Sequence, residues 1–220
     1  TRHASLEADF YNTTAPWAFG MFGTAVSSGA VTFIADNNAN HPGILELRDS
    51  ATANAGYTIT TAGNSLLLAG GEKVSIVWQA RNASATALGW LGFRDNANTT
   101  EPVDGVFVKW TGNAAGGVTL TAAARSNNAQ TVGGSTHTLA INTWVRLVIE
   151  LNTNATLATY TLYSEAGAEL WATTVAANIP TGAGRHTGIG VAAFETTTSA
   201  TAGLMWIDYL LYECSRTITR

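Results

Sequence analysis

The stretch TWVRLVIELN (Thr143–Asn152) decides the fold, because its side chains alternate strictly between two kinds. Successive residues of a β-strand point to opposite sides of the sheet. One row of this stretch is wholly apolar and the other mixes apolar with charged side chains; the rows are Val145, Leu147, Ile149 and Leu151, and Trp144, Arg146, Val148 and Glu150. The pattern predicts a strand with one face in a hydrophobic core.

Similar runs recur along the whole chain, separated by clusters of Gly, Asn, Asp and Thr. We predict strands at Val31–Ala35, Ile44–Arg48, Tyr57–Thr61, Lys73–Gln79, Leu88–Arg94, Val103–Trp110, Val118–Ala124, Thr143–Asn152, Thr156–Tyr163, Glu169–Val175, Gly188–Phe194 and Gly203–Cys214. Short strands without intervening helices are typical of sandwiches and barrels. We therefore predict an all-β fold, a two-sheet antiparallel β-sandwich, formed by a single domain over residues 1–220.

The alternation also predicts which side chains of the other strands face the core. Leu91 and Phe93 belong to the core row, which leaves Trp90 and Arg94 on the opposite side. In the last strand the two predicted rows are Met205, Ile207, Tyr209 and Leu211, and Trp206, Asp208, Leu210 and Tyr212. Two sheets stacked on their apolar rows would form the core.

Composition excludes several classes of function. The 220 residues are 46% hydrophobic and 12% charged, with a formal net charge of −4, so the basic face that nucleic-acid binding requires is missing. No apolar window reaches the roughly 18 residues of a membrane span, and we expect no membrane insertion. The one cysteine, Cys214, excludes an internal disulfide and has no nearby His to activate it. The four His lack zinc-ligand spacing, so we expect no cofactor.

The second face of the strands is unusual, because aromatic rings and single charges share it. If the strands are neighbours, one curved surface would hold Gln79, Trp90, Arg94, Phe107, Lys109, Trp144, Arg146 and Glu150. A loop or another subunit would cover such a surface, or it would stay open as a groove for a sugar ring. Aromatic planes with a few hydrogen-bonding groups are what a pyranose needs. These residues are our candidate ligand-binding set.

Several segments, in the same order along the chain, resemble the concanavalin A-like lectin/glucanase jelly-roll domains of tailed-phage virion proteins. They are GWLGFRDNANTTEPVDGVFVKW (Gly89–Trp110), TWVRLVIELN, TYTLYSEAGAELWATTVAANIPTGAGRHTGIGV (Thr159–Val191), WIDYLLYEC (Trp206–Cys214) and NHPGILELRDSATANAGYTI (Asn40–Ile59). The resemblance implies two curved antiparallel sheets and a place in a tail fibre, head fibre or capsid decoration, at the virion surface.

The sequence departs from the hydrolases that this resemblance includes. Their ExDxxE spacing of carboxylates does not occur, so we expect no catalytic residues. A glycoside hydrolase remains an alternative, because strand pairing can bring Glu150 close to Asp208 or Glu46. The loop between the predicted strands Leu88–Arg94 and Val103–Trp110 also carries oxygen ligands suited to calcium, namely Asp95, Asn96, Asn98, Glu101 and Asp104. Ordinary turn chemistry explains the same residues.

These observations favour a non-enzymatic virion surface protein that acts by self-association and by contact with the capsid or the host surface. Low charge suits close packing between like subunits, and we expect a homotrimer alongside other virion proteins. The alternative is a carbohydrate-binding lectin module that grips a host glycan through the candidate ligand-binding set. In that case Trp90 would supply the main stacking surface.

Overall fold

The computed structural model describes residues 2–9, 21–26, 30–34, 40–41, 43–49, 52–61, 66–82, 84–95, 100–113, 115–199 and 203–216, and its regular structure is entirely β. Alternating apolar residues and Gly- or Asn-containing turns produce fifteen strands in these segments. The strands are β1 Arg2–Asp9, β2 Met21–Val26, β3 Ala30–Ile34, β4 Ile44–Arg48, β5 Gly56–Thr61, β6 Glu72–Asn82, β7 Ala87–Arg94, β8 Gly105–Gly112, β9 Gly117–Ser126, β10 Ala129–Ala140, β11 Val145–Leu151, β12 Ala158–Ser164, β13 Glu169–Val175, β14 Gly188–Glu195 and β15 Leu204–Arg216.

The strands form two antiparallel sheets. Sheet A has the order β13-β12-β11-β6-β15-β4-β3, and β1 also pairs with β15. Sheet B has the order β10-β9-β8-β7-β14-β5-β2. The predicted two-sheet antiparallel sandwich is confirmed. Sequence alternation did not reveal β1, β2 or β10, and β10 shows why: eight of its twelve residues are exposed and only Leu139 is buried, so it lacks the apolar row that the core strands have.

The core lies between the two sheets and is built from the predicted apolar rows. Sheet A contributes Trp78 and Tyr160, and sheet B contributes Trp110 and Phe93, all of them fully buried. The Tyr160 hydroxyl crosses between the layers and donates a hydrogen bond of 2.7 Å to the carbonyl of Ala123 in sheet B. Because this phenol is completely desolvated, its pKa is raised well above the ordinary value. The hydrogen bond satisfies a polar group that burial would otherwise leave unpaired.

The last strand contains an irregularity that reverses its faces. The pairing of β15 with β6 shifts between Ile207 and Tyr209, which leaves Asp208 as the extra residue of a β-bulge. The predicted rows hold up to Ile207, but beyond it Leu210 and Tyr212, rather than Tyr209 and Leu211, join the core. The alternation predicted for the second half of this strand is therefore wrong by one residue. The bulge places Asp208 beside the outer face of sheet A.

A buried carboxyl group lies at the end of β4. Asp49 is almost completely buried, and its Oδ1 accepts a hydrogen bond of 2.5 Å from the backbone N–H of Gly203. Burial raises the pKa of Asp49 to about 7, the N–H of Gly203 opposes the shift, and the nearby Glu195 carboxylate adds to it. The folded protein therefore holds a proton on Asp49 at pH values where the unfolded chain has released it, since the ordinary pKa is 3.8.

This difference predicts that stability falls as the pH rises from about 4 to about 7, because the folded state binds more protons in that window. Asp49→Asn keeps the acceptor for Gly203 and removes the titration. We expect the variant to flatten the fall and to exceed the wild-type free energy of unfolding by about 1 kcal/mol above pH 7. Urea unfolding across this pH range measures both effects. The exposed Glu169→Gln is the control, and an identical pH slope in wild type and Asp49→Asn would refute the assignment.

Candidate functional site

The candidate ligand-binding set does not form one surface. Hydrogen bonding places β6 and β11 side by side in sheet A, and β7 and β8 side by side in sheet B. Gln79, Arg146 and Glu150 therefore belong to sheet A, with Trp144 immediately before β11, whereas Trp90, Arg94, Phe107 and Lys109 belong to sheet B. The outer faces of a sandwich point away from each other. The expectation of a single shared surface is wrong.

The sheet B members pack instead of forming an open groove. Trp90 and Phe107 are 1% and 0% exposed and form a small cluster with Phe194, whose ring meets Trp90 edge-on at 5.5 Å. The Arg94 guanidinium lies 5.1 Å from the centre of the Trp90 ring. Complete burial lowers the pKa of Arg94 to about 9, and the neighbouring Asp95 carboxylate opposes that shift. Of the four, Lys109 is the most accessible, and it pairs with Glu101.

The carboxylates of the calcium candidate are held by cations and backbone N–H groups. Glu101 pairs with Lys109 and with Arg125, at 2.8 and 3.0 Å. Asp104 pairs with Arg185 at 3.1 Å, and Asp95 accepts a hydrogen bond from the N–H of Val103. Asn96 and Asn98 lie outside the described residues. Among the residues that the structure describes, no group of three or more His, Cys, Asp or Glu side chains is placed to hold a metal ion.

The sheet A members lead to a cleft of about 460 Å³ on the outer face of that sheet. Its floor is Val77 of β6 with the first residues of β11, and its wall is the β12–β13 turn. The lining residues are Asn40, His41, Val77, Trp144, Val145, Arg146, Ser164, Glu165, Ala166, Gly167 and Asp208. We refer to it as the sheet A cleft. Trp144 and Arg146 were predicted as binding residues, whereas Gln79 is buried and Glu150 is exposed outside the cleft.

His41 is the central side chain of the sheet A cleft. It lies just before β4 and is only 5% exposed. Its Nδ1 lies 2.9 Å from Oδ2 of Asp208, the bulged residue of β15. Its ring stacks on the indole of Trp144, with 3.9 Å between centroids and 19° between planes. These contacts fix the imidazole in one position and orientation, as a binding site requires.

The second ring nitrogen of His41 faces the β12–β13 turn. Nε2 lies 3.5 Å from Oε1 of Glu165, beyond hydrogen-bonding geometry, and it is buried without a hydrogen-bond partner among the described residues. Asn40 donates its Nδ2–H to the same Glu165 oxygen at 3.2 Å. The turn itself is held by Ser164, whose Oγ accepts from the N–H of Ala168. A polar ligand in the cleft therefore meets preorganised groups.

Cations lie over two further aromatic rings of sheet A. The Arg146 guanidinium lies 4.6 Å from the ring centre of Tyr163, and that of Arg81 lies 3.9 Å from Trp206. Trp206 Nε1 donates to Glu46, which also pairs with Arg48 at 2.9 Å. Glu46 is therefore engaged in a cluster of its own.

Four polar residues of the sheet A cleft lie outside the predicted ligand-binding set: Asn40, His41, Glu165 and Asp208, the last of which was named only for the hydrolase alternative. His41 and Asp208 are 167 positions apart in the sequence, so no local sequence motif could have predicted their contact. The available signal was the NHPG segment of the family resemblance, which contains Asn40 and His41. Glu165 lies in a polar turn, where a carboxylate ordinarily indicates solvent exposure.

Residues 40–208 match the family described as "SO2946-like, C-terminal domain". The chain belongs to this family. A structure of a Shewanella oneidensis protein of unknown function, SO2946, aligns with a TM-score of 0.75 and 20% identity, over 99% of this chain and 89% of that one. No curated protein sequence matches.

The fold of this chain is also found in lectins, in a phage CBM2 module and in glycosidases. Peanut lectin aligns at a TM-score of 0.60 and 9% identity, over the whole of both chains. The CBM2 module of the evolved Dit of Lactobacillus casei BL23 phage J-1 aligns at 0.62 and 11%, also over both chains. Glycosidases align too. The fold is the jelly roll of carbohydrate-binding lectins and glucanases. Among the described residues there is no helix that could cross a bilayer.

The burial of Trp90 changes what its removal should do. Trp90→Ala empties space in the sheet B cluster and should lower the free energy of unfolding by about 3–5 kcal/mol, the usual cost of deleting a buried aromatic ring. Denaturant unfolding measures it. Lys109→Ala on the neighbouring strand is the control and should change stability by less than about 1 kcal/mol. If the unfolding midpoint of Trp90→Ala equals that of the wild-type protein, the indole ring is not buried as described.

Proposed function

We propose that this chain is a non-catalytic glycan-binding module of a phage virion surface protein, and that the sheet A cleft is its binding site. The observation that carries the proposal is the convergence of Asn40, His41, Arg146, Glu165 and Asp208 around one concave space on a rigid sheet. Hydrogen-bonding groups of both kinds beside apolar walls are the ordinary composition of a small polar-ligand site.

The chemistry of the cleft suits a sugar better than a phosphate or a lipid. Two carboxylates, Asp208 and Glu165, offer acceptors for hydroxyl groups, and the exposed Arg146 offers donors at the rim. Carboxylates would repel a phosphate, and the small apolar lining from Val77 and Trp144 is too limited for an acyl chain. The jelly-roll fold, which lectins also have, supports the same conclusion.

A binding role, without hydrolysis, is supported by the state of the carboxylates that the hydrolase alternative requires. Asp208 is held by His41, and Glu46 is held by Arg48 and Trp206. Glu150 projects into solvent and lies opposite Lys73 and Thr159 in the strand pairing. Glycoside hydrolysis needs an acid and a second carboxylate flanking one bond. Asp208 and Glu46 are engaged with other side chains, and Glu150 lies outside the sheet A cleft.

Placement on a virion, with the virion surface as its location, rests on the sequence resemblance to tailed-phage structural domains and on the phage CBM2 module among the similar folds. In this proposal the partners are identical subunits in a homotrimer, other virion proteins and a host cell-surface glycan. Nucleic acid and membrane lipid are not among them.

On a glycan array the wild-type protein should bind a restricted set of glycans, and Arg146→Ala should lower that signal at least about tenfold, because a rim donor of the sheet A cleft is lost. Lys73→Ala is the matched control, since it removes a cation from the same face of sheet A away from the cleft. Absence of any wild-type signal, or release of reducing ends from the bound glycan, would overturn the proposal.

A virion surface module that works by symmetric association should form a closed trimer at micromolar concentration. Multi-angle light scattering behind a sizing column measures the mass directly against the 23.0 kDa of one chain. A monomer at that concentration would contradict the trimer.

A further inference from the structure

The most informative atom in the sheet A cleft is Nε2 of His41. It is buried, lies 3.5 Å from Oε1 of Glu165, and has no hydrogen-bond partner among the described residues. A buried polar nitrogen without a partner loses the hydrogen bonding it had in water, and proteins rarely leave such atoms unpaired without a purpose. Because His41 lines the sheet A cleft, a ligand that enters the cleft can supply the missing partner.

The tautomer of His41 follows from its other contact. A carboxylate only accepts hydrogen bonds, so the 2.9 Å contact between Asp208 Oδ2 and His41 Nδ1 requires the hydrogen on Nδ1. In the neutral ring, Nε2 is then a bare acceptor. Two acceptors, Nε2 of His41 and Oε1 of Glu165, therefore stand next to each other at the cleft.

We propose that this acceptor pair binds two adjacent hydroxyl groups of a neutral sugar ring, one donating to His41 and the other to Glu165; the inference rests on the proposed function. A single hydroxyl has one hydrogen and satisfies only one of the two acceptors. Vicinal hydroxyls on a pyranose ring present two hydrogens side by side, which matches two acceptors 3.5 Å apart.

Two further features of the cleft favour an uncharged sugar as the ligand. The carboxylates of Glu165 and Asp208 both line the cleft and disfavour an acidic sugar there. Water also offers two hydrogens, so a diol must gain something that water lacks. Val77 and Trp144 line the same cleft and give the carbon skeleton of a ring an apolar contact.

Asp208 is then a positioning residue. It does not need to touch the sugar, because it acts by holding the hydrogen of His41 on Nδ1 and leaving Nε2 free to accept. An asparagine in its place would donate to Nδ1 and move the hydrogen to Nε2. The acceptor at the cleft would become a donor, while the size and shape of the side chain hardly change.

The experiment is a ligand titration followed by NMR on the full chain. The probes are the methyl glycosides of glucose, galactose and mannose, their 2-, 3- and 4-deoxy forms, and methyl glucuronide. We expect at least one neutral glycoside to shift the signals of His41 and Trp144. Removing either of two adjacent hydroxyls should weaken that binding at least about tenfold, and the glucuronide should bind more weakly than the glucoside.

Variants test the roles of the two carboxylates. Asp208→Asn should weaken binding at least about tenfold and move the ring hydrogen of His41 to Nε2, which ¹⁵N chemical shifts report directly. Glu165→Gln should also weaken binding, whereas Glu169→Gln, at the start of β13 outside the cleft, should leave it unchanged. Unfolding midpoints close to wild type for Asp208→Asn separate a changed tautomer from a damaged fold.

The possible results separate this inference from the proposed function. Array binding that is insensitive to deoxygenation, to Asp208→Asn or to Glu165→Gln would overturn the inference that two adjacent hydroxyl groups bind His41 and Glu165. It would leave the proposed glycan-binding role intact. A hydrogen on Nε2 in the wild-type protein would overturn the assigned acceptor pair. Array binding without any response to the monosaccharide probes would also overturn it. The absence of both array and probe binding would overturn the proposed function itself.

Discussion

The structure depends on the burial of two apolar rows against each other. Trp78 and Tyr160 from one sheet and Trp110 from the other fill the space between the layers, and each is completely buried. Burial of such side chains contributes about 1.5–3 kcal/mol apiece or more for large rings, which makes it the dominant favourable term. Since strand residues alternate, fixing one row inside fixes the other row outside. The positions of Val77, Arg146 and Asp208 around the cleft are consequences of that constraint.

The fold was predictable because the core rows repeat with period two in strand after strand. Thr143–Asn152 has this signature most clearly, and the structure places its apolar row in the core. Strand β10 escaped prediction because an edge strand with an exposed polar surface has no apolar row to detect. The bulge at Asp208 was not predicted, because a single extra residue leaves the local composition unchanged. It nevertheless moves the side chains that follow it in the strand to the opposite face of the sheet.

The candidate site was predictable only in part. Trp144 and Arg146 were recognised as functional candidates because aromatic and charged side chains on the outer row are unusual. The separation of β6 and β11 from β7 and β8 is a property of the topology, and alternation within one strand carries no information about which strands share a sheet. Trp90 and Trp144 therefore looked equivalent in sequence, although one lies in the sheet B cluster and the other beside His41.

The contact between His41 and Asp208 joins residues that are 167 positions apart in the sequence. Closing so large a span has an entropic cost, and folds rich in contacts between remote parts of the chain form slowly. The pairing of β1 with β15 joins distant parts of the polypeptide in the same sheet. The cleft is thus a product of the finished topology: no single hairpin carries it, and it is complete only when the segment at His41, the start of β11, the β12–β13 turn and the bulge at Asp208 have come together.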